Sequence, residues 1–505
     1  LTKLFITGAQ YPPHNDIERI ANYQRYRKIF DGKQAEVYER ASDILKDTPH
    51  AAQLRTLYIA VNLIDILVSK PADLMVGDPP SYETGKPDAS SEQVALNRIV
   101  EENDLNQLVH EVVIGAGIRG DAWIKTYYAQ RHDTSEAEAL GYVNTSANEP
   151  IIEGVSAVNV FPELTRGSHK RFNAVNIASV EWIDNGIEDI PYLNVERHLA
   201  GLIVYERFRL SVSDVDNTYL TPISVYTIGD QVATGRDEDV IETGVPRILV
   251  SHIPYKTVDD AWQGIGGIQK LESVLAAIND RLVQIDFVLW KHSDPTAYGP
   301  DIDVGTDGSV RFGGKYIPVS KDDATPGYMV WNSQLEGAFK ELDILIGIVF
   351  QMSETPQWLF GTTLASDKGG TGTSHTDGGA IKARFMPILS KVKRIRNHVD
   401  RAIRDSLWMA MLLENFANRG VDGYKPYEAV YPVINWRDGI PTDDKAEAEI
   451  YAIRTGGKST IDVMSAIKRM DGADDMKAAE IITRIDADEV RVNGTVDSSV
   501  FNNGG

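Results

Sequence analysis

Ile268-Gln269-Lys270-Leu271-Glu272-Ser273-Val274-Leu275-Ala276-Ala277-Ile278-Asn279-Asp280-Arg281-Leu282-Val283-Gln284-Ile285-Asp286-Phe287-Val288-Leu289-Trp290 is the stretch whose reading decides the architecture. Leu271, Val274, Leu275, Ile278, Leu282, Ile285 and Leu289 recur at helical spacing and predict one long helix over 268–290. Between Lys270 and Trp290 it carries only Glu272, Asp280, Arg281 and Asp286 as charges, so its remaining faces need partners. Gly264 to Gly267 just before it read as a hinge. Residues 291–332 then change character: they hold Gly, Pro, Asp and short β pieces, Ser309-Val310-Arg311-Phe312 and Tyr328-Met329-Val330-Trp331. Ser333 to Met352 returns to helix, capped at Asn332 or Ser333 with Glu336 in its first turn. Two long helices thus flank a small Gly-rich β module. Both read as lacking an adequate apolar partner within one chain. That favours packing against copies of the chain in a ring, with a monomeric helical hairpin as the alternative.

Downstream, 353–379 is a Gly/Ser/Thr segment with Trp358, Leu359 and Phe360 near its start. A stretch that long without periodicity inside a folded chain points to function or mobility. Ala380 to Asn418 reads as a very long helix interrupted at Pro387. Lys382, Arg384, Lys391, Lys393, Arg394, Arg396, Arg401 and Arg404 fall within it, and between Lys382 and Arg404 only Asp400 opposes them. The bland reading is a solvated helix face paired with acidic surface. The functional one is a patch facing phosphate or a neighbouring subunit. Ala429 to Trp436 reads as a strand, followed by helices over 443–455, 459–470 and 473–485 and a loose polar end.

Upstream, residues 1–50 are polar and helical in pattern. A helix over 55–70 is expected to kink or restart at Pro71, and Gly77-Asp78-Pro79-Pro80 stops it. Residues 81–91 read as a polar loop and Leu96 to Gly117 as one helix. Period-two patterns then mark strands at Ala122 to Tyr128, Ile151 to Phe161, Val175 to Trp182, Leu199 to Leu210, Ser224 to Thr227 and Ile248 to Ile253. The class is α+β with a meandering sheet.

The chain has 505 residues, no cysteine, and a net charge of -22 from 51 Lys plus Arg against 73 Asp plus Glu. Thiol catalysis, Cys-ligated zinc, iron–sulfur clusters and disulfides are excluded. General coating of nucleic acid is excluded too; any contact comes from a local patch. No apolar run is long enough for a transmembrane helix, and Leu1-Thr2-Lys3-Leu4 opens no signal peptide. Gly456-Gly457-Lys458-Ser459 imitates a nucleotide loop, but Ala452 stands where that motif needs Gly. The glycines read instead as a helix end, with Ser459 capping the next helix. Asp301, Asp303 and Asp307 lack the spacing of a calcium loop. The ten histidines are dispersed. No catalytic residue, cofactor or metal site is expected.

The order of these elements resembles the portal proteins of tailed bacteriophages, in particular the group of the Bacillus phage SPP1 portal. Three stretches carry the likeness: Lys70-Pro71-Ala72-Asp73-Leu74-Met75-Val76-Gly77-Asp78-Pro79-Pro80; Gly244-Val245-Pro246-Arg247-Ile248-Leu249-Val250 with Ile253-Pro254-Tyr255-Lys256; and Met352-Ser353-Glu354-Thr355-Pro356 followed by Gly379-Ala380-Ile381-Lys382. The longer acidic tail of the SPP1 portal has no counterpart in the sequence up to Gly505. The resemblance implies a portal-type fold: a wing over 1–266, a stem helix over 267–290, a clip over 291–332, a second stem helix over 333–352, a tunnel loop over 353–379, more wing over 380–441, and a crown with tail over 442–505. It implies a homo-oligomeric ring at one capsid vertex, a dodecamer with a thirteenth subunit in some recombinant rings, assembled in the host cytoplasm. Double-stranded DNA would pass the channel during packaging and ejection, and terminase, head-completion (adaptor), major capsid and scaffolding proteins would be partners, with no membrane. Asp367, Lys368, Gly369, Gly370, Thr371, Gly372 and Asp377 would face the DNA, and Leu275, Leu282, Leu342 and Ile346 would pack the stem. The competing readings are another minor capsid or connector protein, or a carboxylate-dependent hydrolase.

Overall fold

Seven antiparallel strands make the largest sheet among the described residues, in the order Gln10–Tyr11, Ile223–Val232, Leu202–Asp216, Asp189–Leu199, Phe172–Asp184 and Val160–Leu164, with Val240–Glu242 paired to Leu202–Asp216. The computed structural model describes residues 3–38, 61–132, 134–141, 147–184, 186, 188–216, 221–292, 297–300, 316–319, 327–328, 335–360, 378–437, 439, 444–457, 459–471 and 475–494. β1 (Gln10–Tyr11) precedes α1 (His14–Phe30), whose Ile17, Ile20 and Ala21 cover the sheet. α2 (Leu63–Val76), β2 (Ser81–Glu83), α3 (Ser91–Glu102) and α4 (Leu105–Arg119) follow. Then come β3 (Asp121–Gln130), the short α5 (Ser135–Ala139), β4 (Asn148–Val155), β5 (Val160–Leu164) and β6 (Phe172–Asp184). β7 (Asp189–Leu199), β8 (Leu202–Asp216), β9 (Ile223–Val232), β10 (Val240–Glu242) and β11 (Val250–Pro254) complete this half. From β5 to β9 each strand pairs with the next, the meander expected from hairpin-sized connections. Phe5, Phe161, Leu193 and Phe208 fill the core between this sheet and α1.

Local chemistry accounts for several departures from the sequence reading. Leu96 to Gly117 is not one helix: Asp104 adopts φ 41 and separates α3 from α4. Asn103 fixes the break, donating from Nδ2 to Pro150 O at 3.0 Å and accepting Ile152 N–H at 2.9 Å. α2 runs through Pro71 without restarting. Part of the supposed loop 81–91 is β2, which pairs antiparallel with β15 (Val433–Asn435). Ser90 caps α3 by accepting Gln93 N–H at 3.2 Å, while the Gln93 side chain binds Tyr82 O at 2.8 Å and ties β2 to the helix. β7 was absent from the strands expected. Gly264 to Gly267 form a tight seam rather than a hinge: Gly264 N donates to Asp121 Oδ1 and Gly267 N to Gly117 O, both at 2.8 Å. A Cβ at Gly264 would overlap the Gly120 carbonyl.

In the second half, α6 (Glu272–His292) begins a turn later than predicted. β12 (Ala297–Pro300), β13 (Tyr316–Val319) and β14 (Gly327–Tyr328) form a three-stranded sheet with β12 central, parallel to β13 and antiparallel to β14. Ser309 to Phe312 and the cap at Asn332 or Ser333 lie outside the described residues. α7 (Leu335–Met352) leads to a 3-10 turn at Gln357–Phe360 and then to α8 (Gly378–Ala417), which is continuous through Pro387. α9 (Asp444–Thr455), α10 (Val463–Asp471) and α11 (Asp475–Gly494) close the chain; the last extends well past Ile485, into the end read as loose. The cap of α10 is Asp462, which accepts Ser465 N–H at 2.8 Å, and not Ser459, whose hydroxyl donates to Thr455 O.

Two further cores position the long helices. Leu96, Val109, Val113 and Ile124 pack against Val392, Val399, Ile403 and Leu407 of α8, joining it to the sheet β11-β3-β4. Ile29, Ile64, Leu67, Val68 and Ile118 receive α6 and α7.

Candidate functional site

The four residues expected to pack the stem fall in one cluster. Leu275 is buried, and Leu282, Leu342 and Ile346 are half-buried against the same group. Arg281 of α6 binds Glu341 of α7 at 2.7 Å. Arg25 pairs with Glu272, and Asn279 donates to Gln34, so α6 is tied to α1 and the turn after it. α6 therefore does have an intramolecular apolar partner, and the expectation that both stem helices lack one is corrected: Leu271, Leu275 and Ile278 are buried among Tyr26, Ile64 and Leu67. α7 differs. Only Val349 is buried in it, although its sequence LEGAFKELDILIGIVFQM is largely apolar. Ile344, Ile348 and Met352 recur every four residues, and Ile344 and Met352 are 56% and 47% exposed. That is a second apolar stripe, outside the cluster that receives α6.

Below α7 the chain turns through a polar junction. Glu354 takes φ 55, and Ser353 N, Glu354 N and Thr355 N donate to Val349 O, Gln351 O and Phe350 O, which satisfies the last turn of α7. Lys391 of α8 is buried here. Its Nζ donates to Ser353 O at 2.9 Å and to Leu67 O at 3.4 Å, and lies 5.9 Å from the centre of the Tyr255 ring. The second acceptor has a reason. Pro71 has no N–H, so the Leu67 carbonyl loses its helical donor, and the ammonium replaces it. The first places a cation at the negative end of α7. Burial pushes the Lys391 ammonium down to about 8, against a smaller opposing pull from Glu354. Arg394, one turn on, grips Glu354 at 2.7 and 2.6 Å.

This accounts for much of the basic stretch. Lys391 is buried, and Arg394 is paired to Glu354. Arg396 donates to Arg437 O at 3.1 Å and lies over Trp436. Arg404 donates to Pro432 O at 2.6 Å and faces Asp400; Arg401 lies 3.9 Å from Asp405. The count of eight cations against Asp400 alone is thus corrected by Glu354 and Asp405, which the sequence window did not include. Lys393 is exposed. The side chains of Lys382 and Arg384 lie outside the described residues, as do Asp367, Lys368, Gly369, Gly370, Thr371, Gly372 and Asp377. Of the loop base, Trp358 meets Phe385 edge-on at 4.9 Å and Leu359 packs on the α8 core.

Among the described residues no group of three or more His, Asp or Glu side chains is placed to hold a metal ion, and no helix is long and apolar enough to cross a membrane. The junction under α7 was missed in the sequence. Its one visible signal is Pro71 within an apolar helix, which obliges some distant donor to reach Leu67.

Residues 10–170 match the family model described as phage portal protein, SPP1 Gp6-like, and this supports a phage portal protein of that type. The match spans β1 to β5 and includes Lys70 to Pro80, one of the three stretches behind the resemblance. No curated protein matches the chain.

Proposed function

We propose that this chain, with a phage portal match over residues 10–170, is a head-to-tail connector that closes into a ring at one capsid vertex and conducts double-stranded DNA. The observation that carries the ring is the second apolar stripe of α7. Ile344, Ile348 and Met352 belong to none of the apolar clusters of the described residues, and a copy related by rotation offers the same surface repeatedly until the ring closes. α6 and α7 form the stem, the sheet β13-β12-β14 belongs to the clip, and α9 to α11 form the crown. Terminase and later the head-completion protein dock on the clip, and the capsid and scaffolding proteins surround the wing. Of the segment 353–379, Ser353 to Phe360 anchor the base and the part that follows faces the DNA, a dodecamer being the virion form.

Charge supports the same reading. A conduit that gripped phosphates at many points would stall the duplex. A chain of net charge -22 repels it and keeps it central. The portal family is structural rather than enzymatic, and ATP hydrolysis falls to a separate motor. The test is Ile344→Asp, which puts a carboxylate in the stripe without touching the α6 contact. The variant is expected to fold as wild type, fail to form rings and leave capsids without DNA. Rings of normal size and normal packaging would overturn the assignment of this face.

A further inference from the structure

A cleft opens beneath the end of α7, between the seam at Gly266 and Gly267, the turn that leads into α6 and the buried flank of α8. Its cavity of about 70 Å³ has room for several waters, the bulk of one phosphoryl group. Lys256, Lys270, Lys391 and Arg394 line it, against the single carboxylate of Glu354. Four cations to one anion is an inversion in a chain of net charge -22. Lys256 and Lys270 are exposed on the rim and have no ion pair among the described residues. Lys391 has three donor hydrogens and spends two on Ser353 O and Leu67 O, which leaves one. Tyr255 is the second, independent sign. It lines the same cleft, is only 8% exposed, and its hydroxyl has no hydrogen-bond partner among the described residues. A buried hydroxyl without a partner is costly unless a ligand completes it.

We propose that this cleft binds a phosphate-type anion, with Lys391 and Tyr255 as its floor and Lys256, Lys270 and Arg394 as its rim. Both free buried donors are satisfied by one acceptor-rich group, and the positive end of α6 adds to the attraction. All the residues come from one chain, so the site does not depend on the ring or on the portal reading. The same chemistry is offered by a DNA phosphodiester and by a free pyrophosphate-like ion.

The experiment is calorimetric titration of the full-length protein with inorganic pyrophosphate, repeated with a short DNA duplex as competitor. Pyrophosphate is expected to bind once per subunit. The double variant Lys256→Gln/Lys270→Gln should weaken it about tenfold. Tyr255→Phe, which keeps the ring and the packing, should weaken it about fivefold. Lys393→Gln, exposed on the same helix but outside the cleft, should leave it unchanged. If the duplex displaces pyrophosphate, the phosphodiester is the source; if pyrophosphate binds undisturbed, a free anion is. No binding, or equal weakening by Lys393→Gln, overturns the site.

Discussion

Lys391 is the residue whose environment makes the sharpest prediction. Its folded-state value lies near 8, below the 10.5 of an unhindered lysine. Between those values the unfolded chain keeps a proton that the folded chain has released, so stability rises with pH through that window. The groups facing it are Glu354 and Arg394 at the end of α7 and on α8, and Tyr255 on the segment after β11. Burial holds the Tyr255 phenol above its ordinary range, which subtracts stability only beyond about pH 10. Denaturant melts of wild type and Lys391→Met should therefore diverge from pH 8 to about pH 9.5, the wild type gaining. Parallel curves would contradict the burial. Gly264→Ala is the second case: the added methyl meets the Gly120 carbonyl, a backbone group that cannot swing away. A loss of about 3 kcal/mol is expected, the upper end of overpacking costs, and a loss below about 0.5 kcal/mol in a urea melt would dismiss the seam. Neither residue announces its role in the sequence. Lys391 reads as one more surface charge because its carbonyl acceptor at Leu67 is 324 positions away. Gly264, Gly266 and Gly267 read as a hinge because close backbone approach and freedom leave the same mark.

At the scale of elements, periodicity made α6, α7 and α8 legible, since each keeps an apolar stripe over many turns. β7 was not legible because Arg197 stands where the alternation of Leu193, Asn194, Val195 and Glu196 calls for an apolar side chain. Those polar groups find partners only once the sheets exist: Arg197 binds Glu163 at 2.8 Å, Glu196 lies 3.4 Å from Lys125, and Asn194 binds Glu181 at 2.7 Å. β2 was missed for a related reason, as three residues become a strand only against β15. Two tests belong here. Leu282→Asp sets a charge between α6 and α7 and should cost on the order of 3 kcal/mol per subunit and loosen any ring; unchanged thermal stability would contradict the packing. A Gly-Ser bridge in place of residues 296–327 should leave the wing folded and the ring intact while packaging is lost. Normal packaging by that variant would remove the clip from the account.

Taken whole, the molecule divides its apolar surface unevenly. The sheet and α1 enclose one core, α8 closes a second, and α6 completes a third, yet α7 keeps a stripe that the described residues leave uncovered. Order of elements made the class and the helix–β–helix centre readable from residues alone. Which face of α7 stays open was not readable, because the choice depends on how α1 and α2 receive α6. The segment 353–379 carries its own test. Changing Asp367, Gly369, Thr371 and Asp377 to Arg should leave rings intact but slow DNA translocation, with relief as salt rises; an unchanged rate at low salt would move the segment away from the duplex. Every connector role proposed for this chain depends on a closed ring. Native mass spectrometry of the purified full-length chain, across protein concentration and salt, tests it most directly. A closed ring gives one narrow high-mass species equal to twelve or thirteen copies of the 55.9 kDa subunit, lost in Ile344→Asp. Monomers alone under every condition would contradict it.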